Sequence, residues 1–201
     1  MSHDSTYKYS KVKERSREYE LSKEVDIETL PRVKIYADGA GKNPGRAAYA
    51  TILSGGGKTK ALTGCYAFTT TNRMEMMGII IGLEALRVQC YAEVFSDSRY
   101  VVNGINTGWR YVWNERSSDW KKEQKTGLPV PNTDLWDRLF NAMEKHKVIA
   151  RWVRRNSIAP HEECDRLAKE TYFSAEDISE DFGYLDRLDL KRSLSKKWLK
   201  L

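Results

Sequence analysis

Hydrophobic and polar residues alternate along the chain from Arg32 onward, and a period of two is the pattern of β-strands. The glycine-rich stretches GAGKNPG and GGG interrupt this alternation and are typical of turns. The runs between them are RVKIYAD, AAYATILS and KTKALTGCY. The pattern therefore predicts a meander of three antiparallel strands.

The apolar spacing then changes to three and four in TNRMEMMGIIIGLEALR, which predicts a helix with a start signal from threonine or asparagine. Short strands and helices follow. The predicted strands are AEVFSD and VIARWV, and the predicted helices are SRYVVNGI, TDLWDRLFNAMEKH with Thr133 as its N-cap, and HEECDRLAKETYF. Residues 106–132 show no clean period and are interpreted as a helix followed by a protruding loop. This order predicts a mixed sheet with helices packed on it.

Both ends of the chain mix the two signs of charge and contain few large apolar residues. The length of 201 residues suits one domain with extensions. We expect a charged N-terminal extension over residues 1–31, one domain over residues 32–171 and a charged C-terminal extension over residues 172–201. The first extension is interpreted as a solvated helix or a disordered arm, and the last as an amphipathic helix.

Composition narrows the class of protein. No apolar run approaches the length of a membrane span and no signal-peptide pattern opens the chain, so we expect a cytoplasmic location and no membrane partner. The cysteines lack the spacing of a zinc site and are interpreted as reduced core residues. The net charge of +6, whose excess lies within residues 32–171, favours a polyanionic partner.

Four acidic residues occupy positions from which they can meet in one cleft. Asp38 ends the first strand and Asp97 ends the fourth, and clefts form at the carboxyl ends of strands in open sheets. Glu75 lies about one turn into the following helix, and Asp165 lies in the last helix. Four acids in one cleft repel one another unless cations hold them, and oxygen ligands suit Mg²⁺ or Mn²⁺. The pattern predicts a two-metal phosphoryl-transfer site.

Each of these acids also has a structural explanation without chemistry. Asp38 before glycine is a turn pair, and Glu75 can complete a capping box with Asn72. Asp97 can begin a helix, and Asp165 can lie on a solvated helix face. Taken singly, these short patterns leave both interpretations open.

Longer segments resemble type 1 ribonuclease H, in that family's order and at similar intervals. The matching segments are YADGAGKNPGRAAYATIL, TTTNRMEMMGIIIGLEAL, VFSDSRYVVNGI, and WVRRN to CDRLAKE, over about residues 32–171. The resemblance implies an α/β fold of the ribonuclease H-like kind. This fold is a five-stranded mixed sheet, three antiparallel and then two parallel strands, with helices on both faces. The resemblance also places the family's metal-binding and catalytic acids on Asp38, Glu75, Asp97 and Asp165.

The activity that this resemblance implies is endonucleolytic hydrolysis of the RNA strand of an RNA:DNA hybrid, leaving 5′-phosphate and 3′-hydroxyl ends. The implied cofactor is Mg²⁺, with two ions bound in the presence of substrate, and Mn²⁺ is an alternative. One cation would help convert water to the attacking hydroxide, and the other would stabilise the leaving 3′ oxygen. We expect the protein to be a monomer.

Polar residues near the cleft are candidates for reading the RNA strand through its 2′-hydroxyl groups. The resemblance places such contacts on Asn43, Thr70, Thr71 and Asn72. A structural role stays open for them as well, because Asn43 suits a turn and Thr71 or Asn72 suits a helix cap. Both loops are one residue shorter than the common family pattern, which leaves the assignment within them open.

The segment from Trp109 to Lys125 resembles the family's basic protrusion, which contacts the DNA strand. Its basic residues are largely offset by acidic ones, so we expect it to bind more weakly than a strongly basic protrusion. The candidate phosphate contacts are Lys121, Lys122 and Lys125, and the alternative for them is an ordinary solvated face. Its tryptophans are interpreted as a small core beneath the insert.

The chain departs from the family where a histidine commonly lies between the last strand and the last helix. The segment RRNSIAPHEECD is one residue shorter, and Asn156 falls nearest that position. His161, four residues before Asp165, is a second candidate for an auxiliary role in proton transfer. The alternative for His161 is a helix-start residue with no chemical role.

Two other functions stay open on the sequence. A non-cleaving module of the same fold would bind hybrid or double-stranded RNA, although four mutually repelling acids have no use in it. Another nuclease of the superfamily, such as a junction resolvase or an integrase, fits the TNRME helix and the basic insert poorly.

Overall fold

The computed structural model describes residues 26–109, 130–155 and 157–198. After a 3₁₀ turn at Ile27–Thr29, this part of the chain forms five strands and five helices. The strands are β1 (Arg32–Gly41), β2 (Gly45–Gly55), β3 (Lys58–Thr69), β4 (Tyr91–Ser96) and β5 (Lys147–Trp152). The helices are α1 (Thr71–Glu84), α2 (Arg99–Asn106), α3 (Thr133–Met143), α4 (Ala159–Ser174) and α5 (Phe182–Trp198). Of the helices described, none combines the length and the apolar character needed to cross a membrane.

The strands form one sheet in the order β3-β2-β1-β4-β5. The β1–β2 and β2–β3 pairs are antiparallel, whereas β4 runs parallel to β1 and β5 parallel to β4. The predicted α/β fold with a five-stranded mixed sheet is therefore confirmed. Pairing of β1 with β4 ends at Tyr36 and Phe95, while β1 continues alongside β2 as far as Gly41. Asp38 therefore lies on β1 two residues beyond the point where β4 stops pairing with it.

Alternate residues of β1 serve two different cores, as the period of a strand requires. Ile35 and Ala37 belong to the large core, to which α1, α2 and α3 also contribute. Tyr36 packs with Cys164 of α4 in a smaller cluster. Helices therefore lie on both faces of the sheet, and the side chain of Asp38 leaves β1 on the same side as Tyr36, toward α4.

Glycines allow α1 to approach the sheet closely. A Cβ added at Gly82 would lie 2.6 Å from Cγ2 of Ile35, and one added at Gly78 would lie 3.1 Å from Cβ of Ala37. Both distances are shorter than ordinary carbon contacts. The small residues thus hold α1 against β1 and β2, and so fix the position of every side chain that α1 presents to the end of β1.

One predicted helix start was wrong by one residue. The N-cap of α3 is Asn132, and Thr133 is already the first helical residue. Asn132 has φ 60°, in the left-handed region, which asparagine tolerates better than a β-branched threonine does.

Aromatic residues pack where the insert leaves the domain. Trp109 is half-buried, with its ring centroid 5.2 Å from that of Trp136 and 5.5 Å from that of Tyr100. Trp136 donates a hydrogen bond from Nε1 to the Tyr100 hydroxyl at 2.8 Å. This packing agrees with the interpretation of Trp109 as a core residue, while the rest of the insert, residues 110–125, lies outside the described residues.

The C-terminal segment packs against the edge strand β3. Helix α4 ends at Ser174, and Ser179 then donates to the Cys65 carbonyl at 2.9 Å and accepts from the Ala67 amide at 2.9 Å. Arg46 of β2 donates to the Ala175 carbonyl at 2.9 Å. The segment therefore occupies backbone groups that an edge strand otherwise presents to solvent.

Asp181 extends this contact into the domain interior through Arg73 of α1. The Arg73 side chain is 2% exposed, and the Asp181 side chain is 4% exposed. Nε and Nη2 of Arg73 each donate to an Asp181 carboxylate oxygen at 2.7 Å, and Nη1 donates to Asp134 of α3 at 2.8 Å. Burial alone would lower the pKa of Arg73, but hydrogen bonds to both carboxylates outweigh it and raise that pKa. A residue of the predicted extension thus neutralises a charge inside the domain.

Replacement of Asp181 by alanine should destabilise the fold, because within the described part of the chain it leaves the buried guanidinium with Asp134 as its one charged partner. We expect a loss of about 3 kcal/mol in the free energy of unfolding, measured by urea titration. Asp186→Ala removes an exposed carboxylate from the same helix, α5, and should cost less than about 0.5 kcal/mol. Equal effects of the two substitutions would contradict the buried role of Asp181.

Candidate active site

Asp38 lies near the carboxyl end of β1, opposite Ala50 of β2. It is 2% exposed. Its Oδ1 accepts a hydrogen bond from the Gly39 amide at 2.7 Å. Its Oδ2 is buried and has no hydrogen-bond partner among the described residues. The Gly39 amide therefore fixes Oδ1 of Asp38, and Oδ2 faces the interior of the site.

Glu75 reaches the same place from α1. Its Oε1 accepts from the same Gly39 amide at 3.2 Å, and its Oε2 accepts from the Ser96 hydroxyl at 3.5 Å. A Cβ at Gly39 would lie 2.9 Å from the Glu75 nitrogen, so a larger residue would push α1 away. Gly39 thus permits the approach of α1 and supplies one amide that joins the two carboxylates.

Asp97 follows β4 directly and is half-buried. Its carbonyl accepts a hydrogen bond from Nε1 of Trp152 at 2.9 Å, and the amide of Ser98 donates to the Ser96 hydroxyl at 3.1 Å. The guanidinium of Arg99 lies 4.6 Å from the Trp152 ring centroid. These contacts from β5 and α2 fix the backbone on both sides of Asp97.

Asp165 lies on the sheet-facing side of α4, one turn after His161, and both residues are buried. Its Oδ1 accepts from Arg155 at 2.8 Å, and its Oδ2 accepts from Lys169 at 2.5 Å. Burial alone would raise the pKa of Asp165, but these two cations outweigh it and lower that pKa. Asp165 is therefore ionised more readily than an ordinary aspartate.

His161 is fully buried beside Asp38, with its Nδ1 4.0 Å from Asp38 Oδ2. Asp38, Asp97 and His161 each offer one possible ligand atom, and these atoms lie within 4.8 Å of one another. The structure thus brings His161 next to the carboxylates rather than to the solvent side of the helix start.

The carboxylates at this end of the sheet carry unfavourable charge. Burial raises the pKa of Asp38, and the nearby Asp97 raises it further, while His161, Glu75 and the Gly39 amide act in the opposite direction. Burial likewise raises the pKa of Glu75 well above its ordinary value, with added repulsion from Asp38 and Asp97. A divalent cation would relieve both the repulsion and the unpartnered Asp38 oxygen, so the donor set fits a hard cation.

The predicted substrate-contact residues lie around the same end of the sheet. Thr69 of β3 pairs with Gly45 of β2, which places the α1 start beside the β1–β2 turn that contains Asn43. Thr70 caps α1, with its hydroxyl accepting from the Arg73 amide at 3.4 Å.

Asn43 and Asn72 are exposed, and Thr70 and Thr71 are half-buried. The remaining candidates, Lys121, Lys122, Lys125 and Asn156, lie outside the described residues.

Several residues that shape the site were missed in the sequence. Gly39 and Ser96 stand next to predicted acids, in YADG and FSDS, but which carboxylate they bond follows only from the packing of α1. Lys169 lies four residues after Asp165, a helical spacing from which the ion pair could have been found. Arg155 had no comparable signal, because it comes from the loop before α4.

The model of the RNase H family matches residues 31–173, which is most of the chain. The chain belongs to the ribonuclease H family. The ribonuclease H of Rippkaea orientalis is 38% identical over an alignment of 160 residues that covers 76% of this chain and 94% of the relative. The predictions of a type 1 ribonuclease H and of an enzyme are confirmed, and this ribonuclease H is a nuclease.

Solved structures agree on the fold. LC9-RNase H1, described as a type 1 RNase H with the type 2 active-site motif, is 26% identical with a TM-score of 0.59. The match covers 72% of this chain and 73% of LC9-RNase H1. LC11-RNase H1, solved in complex with RNA/DNA hybrid, is 19% identical with a TM-score of 0.53, over 71% of this chain and 99% of that one. The likeness to LC11-RNase H1 shows a shared fold.

Removal of one buried charge should stabilise the metal-free enzyme. Because the folded-state pKa of Asp38 is raised, the folded protein loses stability as pH rises through and above the ordinary aspartate range. Asp38→Asn keeps the oxygen that accepts from Gly39 and removes the charge. In excess EDTA at pH 7 we expect a melting temperature higher by roughly 2–5 °C.

The gain should shrink as the pH falls below the folded-state pKa, where Asp38 is itself protonated. Asp186→Asn, which removes an exposed carboxylate, should leave the melting temperature nearly unchanged. A lower melting temperature for Asp38→Asn at pH 7 would contradict the repulsion described above.

Proposed function

We propose that this ribonuclease H hydrolyses the RNA strand of RNA:DNA hybrids endonucleolytically, leaving 5′-phosphate and 3′-hydroxyl ends. Asp38, Glu75, Asp97 and Asp165 would be the catalytic and metal-binding residues. The observation that carries the proposal is the Gly39 amide shared by the Asp38 and Glu75 carboxylates, with Asp97 close enough to raise the pKa of both. Like charges buried this closely have a use when cations bind between them.

The donor set suits Mg²⁺, two ions in the presence of substrate, with Mn²⁺ as an alternative. When bound, these ions supply activation of the attacking water and stabilisation of charge on the leaving 3′ oxygen. The chain itself holds the ligands in place. Gly39 and Ser96 orient Glu75, the β5 contact fixes the backbone at Asp97, and Arg155 and Lys169 keep Asp165 ionised.

Hybrid recognition would use the polar rim around the acids. Asn43, Thr70, Thr71 and Asn72 are proposed to contact the RNA strand, whose 2′-hydroxyl groups are open to short polar side chains in the minor groove. Lys121, Lys122 and Lys125 of the insert are proposed to contact DNA phosphates. The hybrid complex of LC11-RNase H1, which shares the fold, supports this choice of nucleic acid.

The remaining sequence predictions concern the surroundings of the domain. We keep as proposals a domain over residues 32–171 between charged extensions, a monomeric state, a cytoplasmic location, and an auxiliary role for Asn156 or His161. The contacts of Asp181 with α1 support a structural role for the C-terminal extension beyond that domain boundary.

A hybrid labelled separately on each strand tests the activity. With Mg²⁺ restored after chelation, we expect cleavage of the RNA strand only, and none while metal is omitted. Asp97→Asn should lower the rate by at least about 100-fold with folding retained, because it removes a ligand charge. Asp186→Asn is the matched control and should cleave at the wild-type rate.

Other outcomes of the same assay separate the other functions. Retention of the hybrid without cleavage would indicate a binding module, and cleavage of DNA would indicate a different nuclease. Near wild-type cleavage by purified Asp97→Asn would refute the assignment of the acids.

The substrate contacts can be separated from helix capping. Asn72 is exposed and Thr70 makes the cap, so Asn72→Ala should raise KM for the hybrid several-fold with little change in kcat or in melting temperature. Thr70→Ala should cost about 1 kcal/mol of stability, since it removes the capping oxygen. An unchanged KM for Asn72→Ala would exclude Asn72 from the RNA contact.

A further inference from the structure

Buried polar atoms without a hydrogen-bond partner concentrate beside the candidate active site. Among the described residues such side-chain atoms are Asp38 Oδ2, both ring nitrogens of His161, and Thr51 Oγ1. Three of these belong to two neighbouring residues. A buried polar group left without a partner is destabilising, so the concentration of such atoms at one point favours a ligand that they share.

The position of His161 points its ring at the carboxylates. It lies in the first turn of α4 and is 0% exposed. Its Nδ1 is 4.0 Å from Asp38 Oδ2, which is too long for a hydrogen bond. Asp38, Asp97 and His161 nevertheless place one ligand atom each within 4.8 Å of one another. The gap between these three groups is therefore wider than a shared proton can bridge.

We propose that His161 is a direct metal ligand, binding through a ring nitrogen the same divalent cation as Asp38 and Asp97. This inference rests on the proposed function, because it takes these carboxylates as the holders of a cation. A cation placed among the three would supply a partner to Asp38 Oδ2 and to one imidazole nitrogen together.

A nitrogen ligand changes which cation the site favours. Mg²⁺ takes oxygen ligands almost exclusively, whereas imidazole suits transition metals, and Mn²⁺ accepts both carboxylate and imidazole. A site with His161 in its ligand set therefore binds Mn²⁺ more tightly than Mg²⁺. Carboxylates alone would discriminate less between the two ions.

Pulsed electron paramagnetic resonance of Mn²⁺ bound to the full-length chain tests the ligand directly, without substrate or turnover. We expect echo modulation from ¹⁴N in the unlabelled protein and its replacement by a ¹⁵N pattern in protein carrying ¹⁵N-histidine. The chain has three histidines, so a variant with His3→Asn and His146→Asn leaves His161 as the source of the signal. That variant should retain the histidine coupling.

Metal affinity gives a second readout. His161→Asn should raise the Kd for Mn²⁺ roughly tenfold or more and that for Mg²⁺ less than about threefold. His146→Asn is the matched control, since His146 is also buried but accepts its hydrogen bond from the Cys90 amide. It should change neither constant. Should His161→Asn fail to fold, the labelled protein with His3 and His146 replaced decides the question.

The outcomes separate this inference from the proposed function. Bound Mn²⁺ that is lost in Asp97→Asn but shows no histidine coupling overturns the role of His161 and leaves the cation site standing. No Mn²⁺ binding to the wild-type chain overturns both. Histidine coupling that persists in a folded His161→Asn variant also overturns the assignment.

Discussion

Electrostatic repulsion at the end of β1 is the constraint on which the rest of this structure depends. Asp38 and Glu75 are both buried, and a single amide, that of Gly39, joins them. Burial and the nearby charge of Asp97 raise the pKa of each, and Asp38 raises that of Glu75 further, so their ionised forms oppose folding in the metal-free protein. The rest of the fold must therefore hold α1 close to β1 despite the cost of these buried carboxylates. The close packing of Gly78 and Gly82 on the sheet does so.

Helix α1 carries two buried ionisable side chains two positions apart, Arg73 and Glu75, and their surroundings differ. Arg73 is neutralised by Asp181 and Asp134, whereas the donors to Glu75 within the described part of the chain are the neutral Gly39 amide and Ser96 hydroxyl. The ion pairs of Arg73 anchor the start of α1, whereas the Glu75 carboxylate is available to a ligand. Because Asp181 lies beyond residues 31–173, which match the family, this chain anchors α1 with a residue of its own C-terminal segment.

The features that were predictable from the sequence depend on local periodicity or on a rule of sheet topology. Alternation located the strands, and the carboxyl-end rule placed Asp38 and Asp97 at the same edge. The pairing of Arg73 with Asp181 joins residues 108 positions apart, which no local pattern records. The burial of His161 was missed for a related reason. It depends on which face of α4 packs on β1, and the few apolar residues at the start of α4 do not define that face.

The candidate ligands are not equivalent. Asp165 is paired with Arg155 and Lys169, so much of its charge is already compensated by the chain. Asp38 makes no ion pair with a lysine or arginine among the described residues, and the imidazole Nδ1 of His161 lies 4.0 Å from its unpartnered oxygen. The uncompensated negative charge of the site therefore lies toward Asp38, Glu75 and Asp97. A cation is attracted most strongly to that side, which is also the side where a nitrogen lone pair can reach it.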